Sequence, residues 1–456
     1  MLPNGFKERM KDLLGDGYDS FINELECAEA VKGVRVNTVK ISREDFLSRF
    51  DLPMAAIPYC DEGFIPEAPD GIGNTPEHHS GMIYMQDPGA MAALCALDIK
   101  TGWLALDMCA APGGKASQIA AKLGDSGFLV ANEFVPKRAK TVVQNFERLG
   151  IKNAIVTSLD TSELPRMFSE YFDLVVCDAP CSGEGMFRKS DEAKNQWSYD
   201  NVLTCQKRQI EILKNAPSLV KPGGYLLYST CTYSREENEA VVELFLKENP
   251  EFQLVEVTDR LKAHTLSGIA DGYDKELRLE RTRRFYPHVS KGEGQFVALM
   301  KKSENTSDMP TILYKNSEVA PQKSEAEIVK RFFAENFSAI PDGRLVKHGD
   351  GISLVRSPFP LPVRSVFMAG VQVGCVLKGV LHPAHQLFSA FGNLMKRRHE
   401  LSYELALKYL AGEEISCEPD TEGGWCCVTY GGVALGGGKV SGGKIKNHYP
   451  KGLRLK

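Results

Sequence analysis

No stretch of the 456 residues approaches the roughly 18–20 uninterrupted apolar positions that a membrane span needs. The best candidate, Gly81 to Ile99, is broken by Gln86, Asp87 and Pro88. An apolar leader is missing as well, because the opening MLPNGFKERMKDLL carries Lys7, Glu8, Arg9, Lys11 and Asp12. Both absences predict a cytoplasmic protein without a membrane partner. The twelve cysteines contain no C-x-x-C pair, so neither a disulfide framework nor a zinc ribbon is expected; reduced thiols, available for chemistry, are. Charge of one sign is also lacking, with 55 basic against 59 acidic residues and a net charge of −4. That balance excludes a protein that coats nucleic acid by bulk electrostatics, and leaves room for one local basic surface. Internal repeats and low-complexity tracts are absent. What remains, 43% hydrophobic and 25% charged residues, is the composition of an ordinary globular chain, long enough for two to four domains at roughly 100–200 residues each.

Residues 1–85 read as a small α+β module: helices over Phe6–Leu14, Ser20–Ala30 and Ser42–Phe50, a β-branched run Val34–Val39, then a loop-rich stretch. Over 86–302 short apolar runs alternate with helical patterns. The runs are Trp103–Met108, Phe128–Ala131, Ala154–Thr157, Phe172–Cys177, Tyr225–Ser229 and Gln295–Met300; the helices are Ala116–Leu123, Pro136–Leu149, Val202–Leu219 and Glu236–Asn249. Such alternation predicts an α/β domain, a Rossmann-like, mostly parallel sheet covered on both faces. The polar stretch 303–327 is expected to be a linker. Residues 328–456 read as one or two small α+β modules ending in a basic tail with Lys439, Lys444, Lys446, Lys451, Arg454 and Lys456 and no acid after Gly436.

The first strand of the alternating region runs into Cys109-Ala110-Ala111-Pro112-Gly113-Gly114-Lys115, ahead of a helix. In a doubly wound sheet this turn lies at the carboxyl edge, where ligands meet the free N–H groups of a helix start. Gly113 and Gly114 would let backbone approach a ligand closely. The turn is neither G-x-G-x-x-G nor G-x-x-x-x-G-K-[ST], which disfavours dinucleotides and phosphate cradling. The next strand ends in Glu133, a carboxylate suited to both hydroxyls of a ribose, and the third in Asp160, placed to accept from an adenine amino group. A ligand with an amino acid end, a ribose and an adenine but no phosphate fits this set, and S-adenosylmethionine is such a ligand. Lys137 and Arg138 open the following helix and reach either cofactor or a substrate phosphate, or form a solvated helix end. Gln86 lines the same pocket from outside the sheet, or its segment caps a helix.

The fourth and fifth strands end at Asp178-Ala179-Pro180-Cys181 and Thr230-Cys231. Cys177, inside an apolar run, reads as a small buried hydrophobe. Cys181 and Cys231 sit just past strand ends among small polar residues, where a thiolate can be kept. Methylation of a pyrimidine at carbon 5 needs such a group. A thiolate adds at carbon 6, a carboxyl group beside N3 stabilises the adduct, and a further residue helps to expel the sulfur afterwards. Asp178, Cys181 and Cys231 supply that inventory, with structural thiols as the alternative.

Four stretches, DMCAAPGGK (107–115), DAPCSGEGMFRK (178–189), STCTYSREENE (229–239) and PHVSKGEGQFVA (287–298), closely resemble the signatures of the RNA 5-methylcytosine methyltransferases of the NOL1/NOP2/Sun family. The resemblance covers about residues 1–300. FSAFGNLMKRRHEL and the ending KNHYPKGLRL are similar to the RNA-binding, pre-PUA and PUA-like extension of bacterial RsmF-type ribosomal RNA methyltransferases. The resemblance implies an S-adenosylmethionine-dependent enzyme with Cys109–Lys115 as cofactor loop, Glu133 as ribose acid, Asp160 as adenine-side acid and Asp178 as catalytic-site acid. It also implies Cys231 as nucleophile and Cys181 as the thiol of product release; the DNA enzymes use the Pro-Cys thiol as nucleophile instead. The implied substrate is a cytidine of small-subunit ribosomal RNA. A transfer RNA enzyme and a non-catalytic RNA-binding assembly factor are the alternatives.

Two further features are read for RNA. Between Glu276 and Lys302 seven basic residues, among them Arg283, Arg284 and Lys302, interleave with Phe285 and Tyr286, which predicts either a groove for phosphates and bases or packed aromatics. The basic tail and Lys396-Arg397-Arg398 are expected to contact RNA away from the site. His382 and His385 have no third ligand nearby, so no metal is expected.

Overall fold

The computed structural model describes residues 1–50, 52–304, 311–315, 318–361 and 365–455. Its largest element, among those residues, is a sheet of ten strands. Eight of them are named here: β1 (Leu104–Asp107), β2 (Phe128–Asn132), β3 (Ala154–Thr157), β4 (Phe172–Asp178), β5 (Val220–Thr230), β6 (Arg283–Phe285), β7 (Gln295–Lys302) and β8 (Val366–Ala369). Their order is β6-β7-β5-β4-β1-β2-β3-β8. The five central strands are parallel, while β7 and β8 run antiparallel to β5 and β3. Every residue of β2 and β3 is buried, as expected of a parallel sheet covered on both faces.

Helices α1 (Gly114–Leu123), α2 (Pro136–Leu149), α3 (Tyr199–Leu213) and α4 (Glu239–Glu248) follow β1, β2, β4 and β5. In α2 the stripe Ala139, Val142, Phe146 and Leu149 is buried and Gly150 ends the helix with φ +67°, the left-handed cap that glycine adopts most cheaply. The chain leaves β1 for β2 and β3 on one side and returns to β4 and β5 on the other. This reversal opens a crevice at the carboxyl ends of β1 and β4.

The stretch after Phe50, expected to be loops, instead contributes strands Met54–Ile57 and Cys60–Pro66; with Val34–Val36 and Ile83–Met85 they form a four-stranded antiparallel sheet. The first two helices, Asn4–Leu14 and Tyr18–Cys27, press Phe6, Met10, Phe21 and Leu25 onto Phe187, Tyr233 and Tyr286, which anchors them beside the loops that follow β4 and β5. Beyond Lys323–Asn336 lie a four-stranded sheet (344–383) and a five-stranded sheet (398–447). The basic residues after Gly436 are no tail: Lys439 lies in strand Val433–Ser441, and Lys444 and Lys446 lie in its partner Lys444–Asn447. Lys456, and parts of the expected linker (305–310 and 316–317), lie outside the described residues.

Candidate functional site

The loop after β1 is shaped by its own packing. Gly113 has φ +110°, a conformation that L side chains disfavour, and a Cβ on Gly114 would meet the Tyr84 ring at 3.1 Å. The Ala111 and Pro112 carbonyls accept from Arg138 Nη2 at 3.3 Å and Asn145 Nδ2 at 2.9 Å, so α2 holds the turn from outside. Arg35, buried beneath α1, donates to the Gly114 carbonyl at 3.3 Å and to Ser117 Oγ at 2.7 Å, and Gln86 accepts from its Nε at 2.9 Å. Gln86 therefore acts on the loop through Arg35, while Asp87 caps helix Pro88–Ala92. The Cys109 thiol is pushed well above its ordinary range by a hydrogen bond with Cys177 and by burial; both behave as packed thiols.

Four carboxylates collect around this edge. Glu133 is 3% exposed and uses one oxygen, Oε1, to accept from Val135 N–H at 3.0 Å and Arg138 Nη1 at 3.4 Å. Asp160 is exposed and caps the short helix Thr161–Arg166 through Oδ1, which accepts from the Ser162 hydroxyl and N–H. Those two bonds hold its carboxyl below the usual range. Asp178 Oδ2 accepts from Lys115 Nζ at 2.8 Å, and Oδ1 from Ser229 Oγ at 2.7 Å. Burial alone would lower the Lys115 ammonium, yet the Asp178 carboxylate more than offsets it and holds it above its ordinary value. Asp107, which the sequence did not single out, ends β1 fully buried; Oδ1 accepts from Cys109 N–H at 3.1 Å and Oδ2 has no protein partner. Burial, and then the nearby Asp178 charge, raise its pKa to about 7.

Beside Asp178 the two singled-out thiols meet, with Cys181 Sγ 3.1 Å from Cys231 Sγ. Both are free and partly buried. The bond to Cys231, followed by burial, pushes the Cys181 thiol well above its ordinary range. The two loops are stitched together by Glu184. Its carboxylate accepts from Thr232 Oγ1, Ser234 Oγ and Trp197 Nε1 at 2.8 Å each and from Tyr233 N–H at 2.9 Å.

The family model of 16S rRNA methyltransferase RsmB/F matches residues 94–301, that of the N-terminal domain of 16S rRNA methyltransferase RsmF residues 2–88, and that of the methyltransferase RsmF PUA domain residues 396–455. Ribosomal RNA small subunit methyltransferase F of Aeromonas salmonicida is 32% identical over 443 residues, 92% of this chain and 90% of that protein. The Klebsiella pneumoniae protein of the same name is 34% identical over 456 residues, 96% and 92%. The chain belongs to the ribosomal RNA small subunit methyltransferase F family. Among solved structures, a methyltransferase homologue from Pyrococcus horikoshii is similar with a TM-score of 0.57 at 29% identity, over 66% of this chain and 95% of that one.

In this member of the family three of the seven basic residues between Glu276 and Lys302 are turned inward. Arg284 is 2% exposed and paired with Glu239 at 2.5 Å, Lys302 is buried against Glu170 at 2.5 Å, and Arg283 donates to Thr265 Oγ1 at 2.9 Å. Phe285 and Tyr286 are packed, the latter stacked on Tyr233 at 5.4 Å. Missed by the sequence reading, besides Asp107 and Glu184, is the buried pair Gln209 and Glu237. Glu237 lies in the signature stretch 229–239, which marked it without a role, and no sequence signal marked Gln209. No group of His, Cys, Asp and Glu among the described residues is arranged to hold a metal, and no described helix is long and apolar enough to cross a membrane.

Proposed function

We propose that this chain transfers the methyl group of S-adenosylmethionine to carbon 5 of a cytidine in small-subunit ribosomal RNA, through a transient bond between Cys231 and carbon 6. The observation that carries the reading is the 3.1 Å approach of the Cys181 and Cys231 sulfurs beside the Asp178 carboxylate, at the carboxyl edge of the sheet.

The donor set suits the cofactor. Asp107 with its unpartnered Oδ2, Glu133 with its unused Oε2, Asp160 and Asp178 make an acid-rich edge. Such an edge favours a ligand with an ammonium, a sulfonium and ribose hydroxyls over one with phosphates. In this assignment Glu133 receives the ribose, Asp160 the adenine amino group, and Cys109–Lys115 the amino acid end, with Arg138 fixing Glu133 and the loop. When bound, S-adenosylmethionine supplies an electrophilic methyl carbon.

The chain's own residues do the rest. Cys231 attacks carbon 6 as thiolate, and a proton taken up from solvent at N3 balances the added charge, the Asp178 carboxylate accepting that N3–H, so that carbon 5 becomes nucleophilic. Lys115 and Ser229 keep the Asp178 carboxylate oriented. Once carbon 5 carries the methyl group, its proton must leave. That proton passes to solvent, the carbon 6–sulfur bond breaks with Cys231 leaving as thiolate, the 5,6 double bond is restored and N3 loses its proton; Cys181 assists at that stage by hydrogen-bonding the departing sulfur. The target base has to leave its stack to reach Cys231. The N-terminal module (1–85) and the region 328–456, separated from the catalytic domain 86–302 by the linker 303–327, are assigned to holding RNA. Lys439 lies directly opposite Lys446 in the last sheet. Like charges facing each other are unfavourable until an anion separates them, which supports a phosphate contact there.

Incubation of the protein with methyl-labelled S-adenosylmethionine and whole small subunits, deproteinised small-subunit RNA or transfer RNA tests the proposal, with bisulfite sequencing to identify the product. Label at an unconverted cytidine of ribosomal RNA is expected. Label confined to transfer RNA would overturn the substrate, and no label in any arm would overturn the activity in favour of an RNA-binding assembly factor.

A further inference from the structure

The two thiols are held by different means. Cys231 continues directly from β5, and its carbonyl accepts from Gly185 N–H at 2.9 Å. Cys181 lies three residues beyond the end of β4, where no strand pairing fixes its peptide. Its two neighbours are instead gripped by side chains from distant parts of the chain. Gln209, in α3 and without exposed surface, donates through Nε2 to the Pro180 carbonyl at 3.0 Å and to Glu237 Oε2 at 2.8 Å. The same Glu237 oxygen accepts from Ser182 N–H at 2.9 Å, and Oε1 accepts from the Ser182 hydroxyl. Ser182 Oγ in turn lies 2.9 Å from Thr232 Oγ1, next to Cys231. Cys181 thus sits between two peptide units tied to one Gln–Glu pair.

Glu237 is completely buried, and burial pushes its carboxyl up to about 7. A desolvated carboxylate is costly to keep, and packing α4 against α3 does not call for one. What it supplies is two acceptor oxygens aimed at three donors, a fork that fixes the loop on the far side of Cys181 as Gln209 fixes the near side.

We propose that Gln209 and Glu237 are positioning residues for Cys181, and that they govern product release rather than methyl transfer; this rests on the release role given to Cys181 above. Cys231 stays anchored by its strand when the pair is broken, so its attack survives. Cys181 loses its aim, and the thioether between enzyme and methylated RNA persists.

The test compares Glu237→Leu, Gln209→Leu and Glu237→Gln with Cys181→Ala, using full-length protein, labelled S-adenosylmethionine and the ribosomal RNA substrate methylated by the unmodified enzyme. Two quantities are read: methyl incorporation in a single turnover, and the fraction of enzyme in a denaturant-resistant adduct during multiple turnover. For both leucine variants single-turnover incorporation should stay within about threefold, while steady-state turnover falls tenfold or more and adduct accumulates. Glu237→Gln should restore turnover, because its amide oxygen accepts from the two N–H donors and its amide nitrogen donates to Ser182 Oγ. Leucine variants that lose transfer and turnover together, or that turn over without adduct, overturn the inference. If Glu237→Leu fails to fold, judged by loss of cofactor binding, Gln209→Leu and Ser182→Ala carry the same prediction, the latter with a smaller effect. Adduct in Cys181→Ala but in neither leucine variant refutes the brace alone. Absence of adduct in Cys181→Ala refutes the release role itself, and the brace with it.

Discussion

The carboxyl edge of the main sheet and the lysine-bearing strands near the chain's end treat charge in opposite ways. At the edge and around it, cations are matched inside the fold: Lys115 with Asp178, Arg284 with Glu239, Lys302 with Glu170. In the last sheet Lys439, Lys444 and Lys446 are exposed, and Lys439 faces Lys446 across the ladder. A buried ion pair fixes geometry and has little left for a partner. Exposed lysines are the reverse, even with one of them, Lys444, 3.8 Å from Glu414: poor at holding shape and ready to release counterions to a polyanion. In the proposed assignment chemistry and grip therefore reside in separate places, and the two are separable by mutation.

The largest expected effect lies at the edge. Cys231→Ala should lower methylation by at least about a thousandfold while calorimetry finds cofactor affinity unchanged; an active alanine variant would remove the nucleophile from the scheme. Cys181→Ala should leave a shifted, denaturant-resistant protein–RNA band when RNA and cofactor are both supplied, and a clean lane would count against its role in release. At the other region, Lys439→Ala combined with Lys446→Ala should weaken RNA binding about tenfold at low salt and flatten the salt dependence by about two units of slope. Its turnover at saturating RNA should match that of the parent. A loss of turnover at saturation would merge the two regions into one.

The remaining effect concerns Asp107 and bears on stability alone. Its carboxyl titrates near 7 in the fold against an ordinary 3.8, so the fold favours the protonated form. The stability this gives is complete below about pH 4 and is lost as the pH rises toward 7, by at most about 1.4 kcal/mol per unit. Asp107→Asn should remove that slope, visible in urea unfolding at pH 5, 6 and 7. Parallel curves for variant and parent would show that Asp107 ionises freely in the fold.

Much of the catalytic fold is legible in sequence because its signals are strong. Pro136–Leu149 and Ala154–Thr157 coincide with the expected helix and strand, one marked by a proline start, an apolar stripe and a glycine stop, the other by an uninterrupted apolar run. The start of β5 is lost because Pro222, Gly223 and Gly224 imitate a turn where the strand carries an irregularity between Val220 and Tyr225. The strands Met54–Ile57 and Cys60–Pro66 are short, half-exposed and interrupted by Asp61, Glu62 and Gly63, so no period stands out. The residues of the candidate site are legible where they stand at or just past strand ends, as Glu133, Asp178, Cys181 and Cys231 do. They are illegible where partnership is made across the chain. Arg284 looks like a phosphate ligand until Glu239, 45 residues away, is found against it, and Gln209 is an ordinary helical glutamine until Pro180 and Glu237 are beside it.

Strand β8 comes from the C-terminal region, yet Val366, Met368 and Ala369 pair with Thr157, Val156 and Ile155 of β3, and the backbone bonds Ser158 N–H to Ser365 and Gly370 N–H to Ala154 extend the seam. The last strand of the enzyme's sheet is thus borrowed from the region assigned to gripping RNA. A polypeptide severed after Lys302 would leave the wholly buried β3 as a raw margin, a template for self-association. The sheet proposed to perform chemistry and the region proposed to grip RNA share one seam, and neither is separated from the other by cutting at the segment between them.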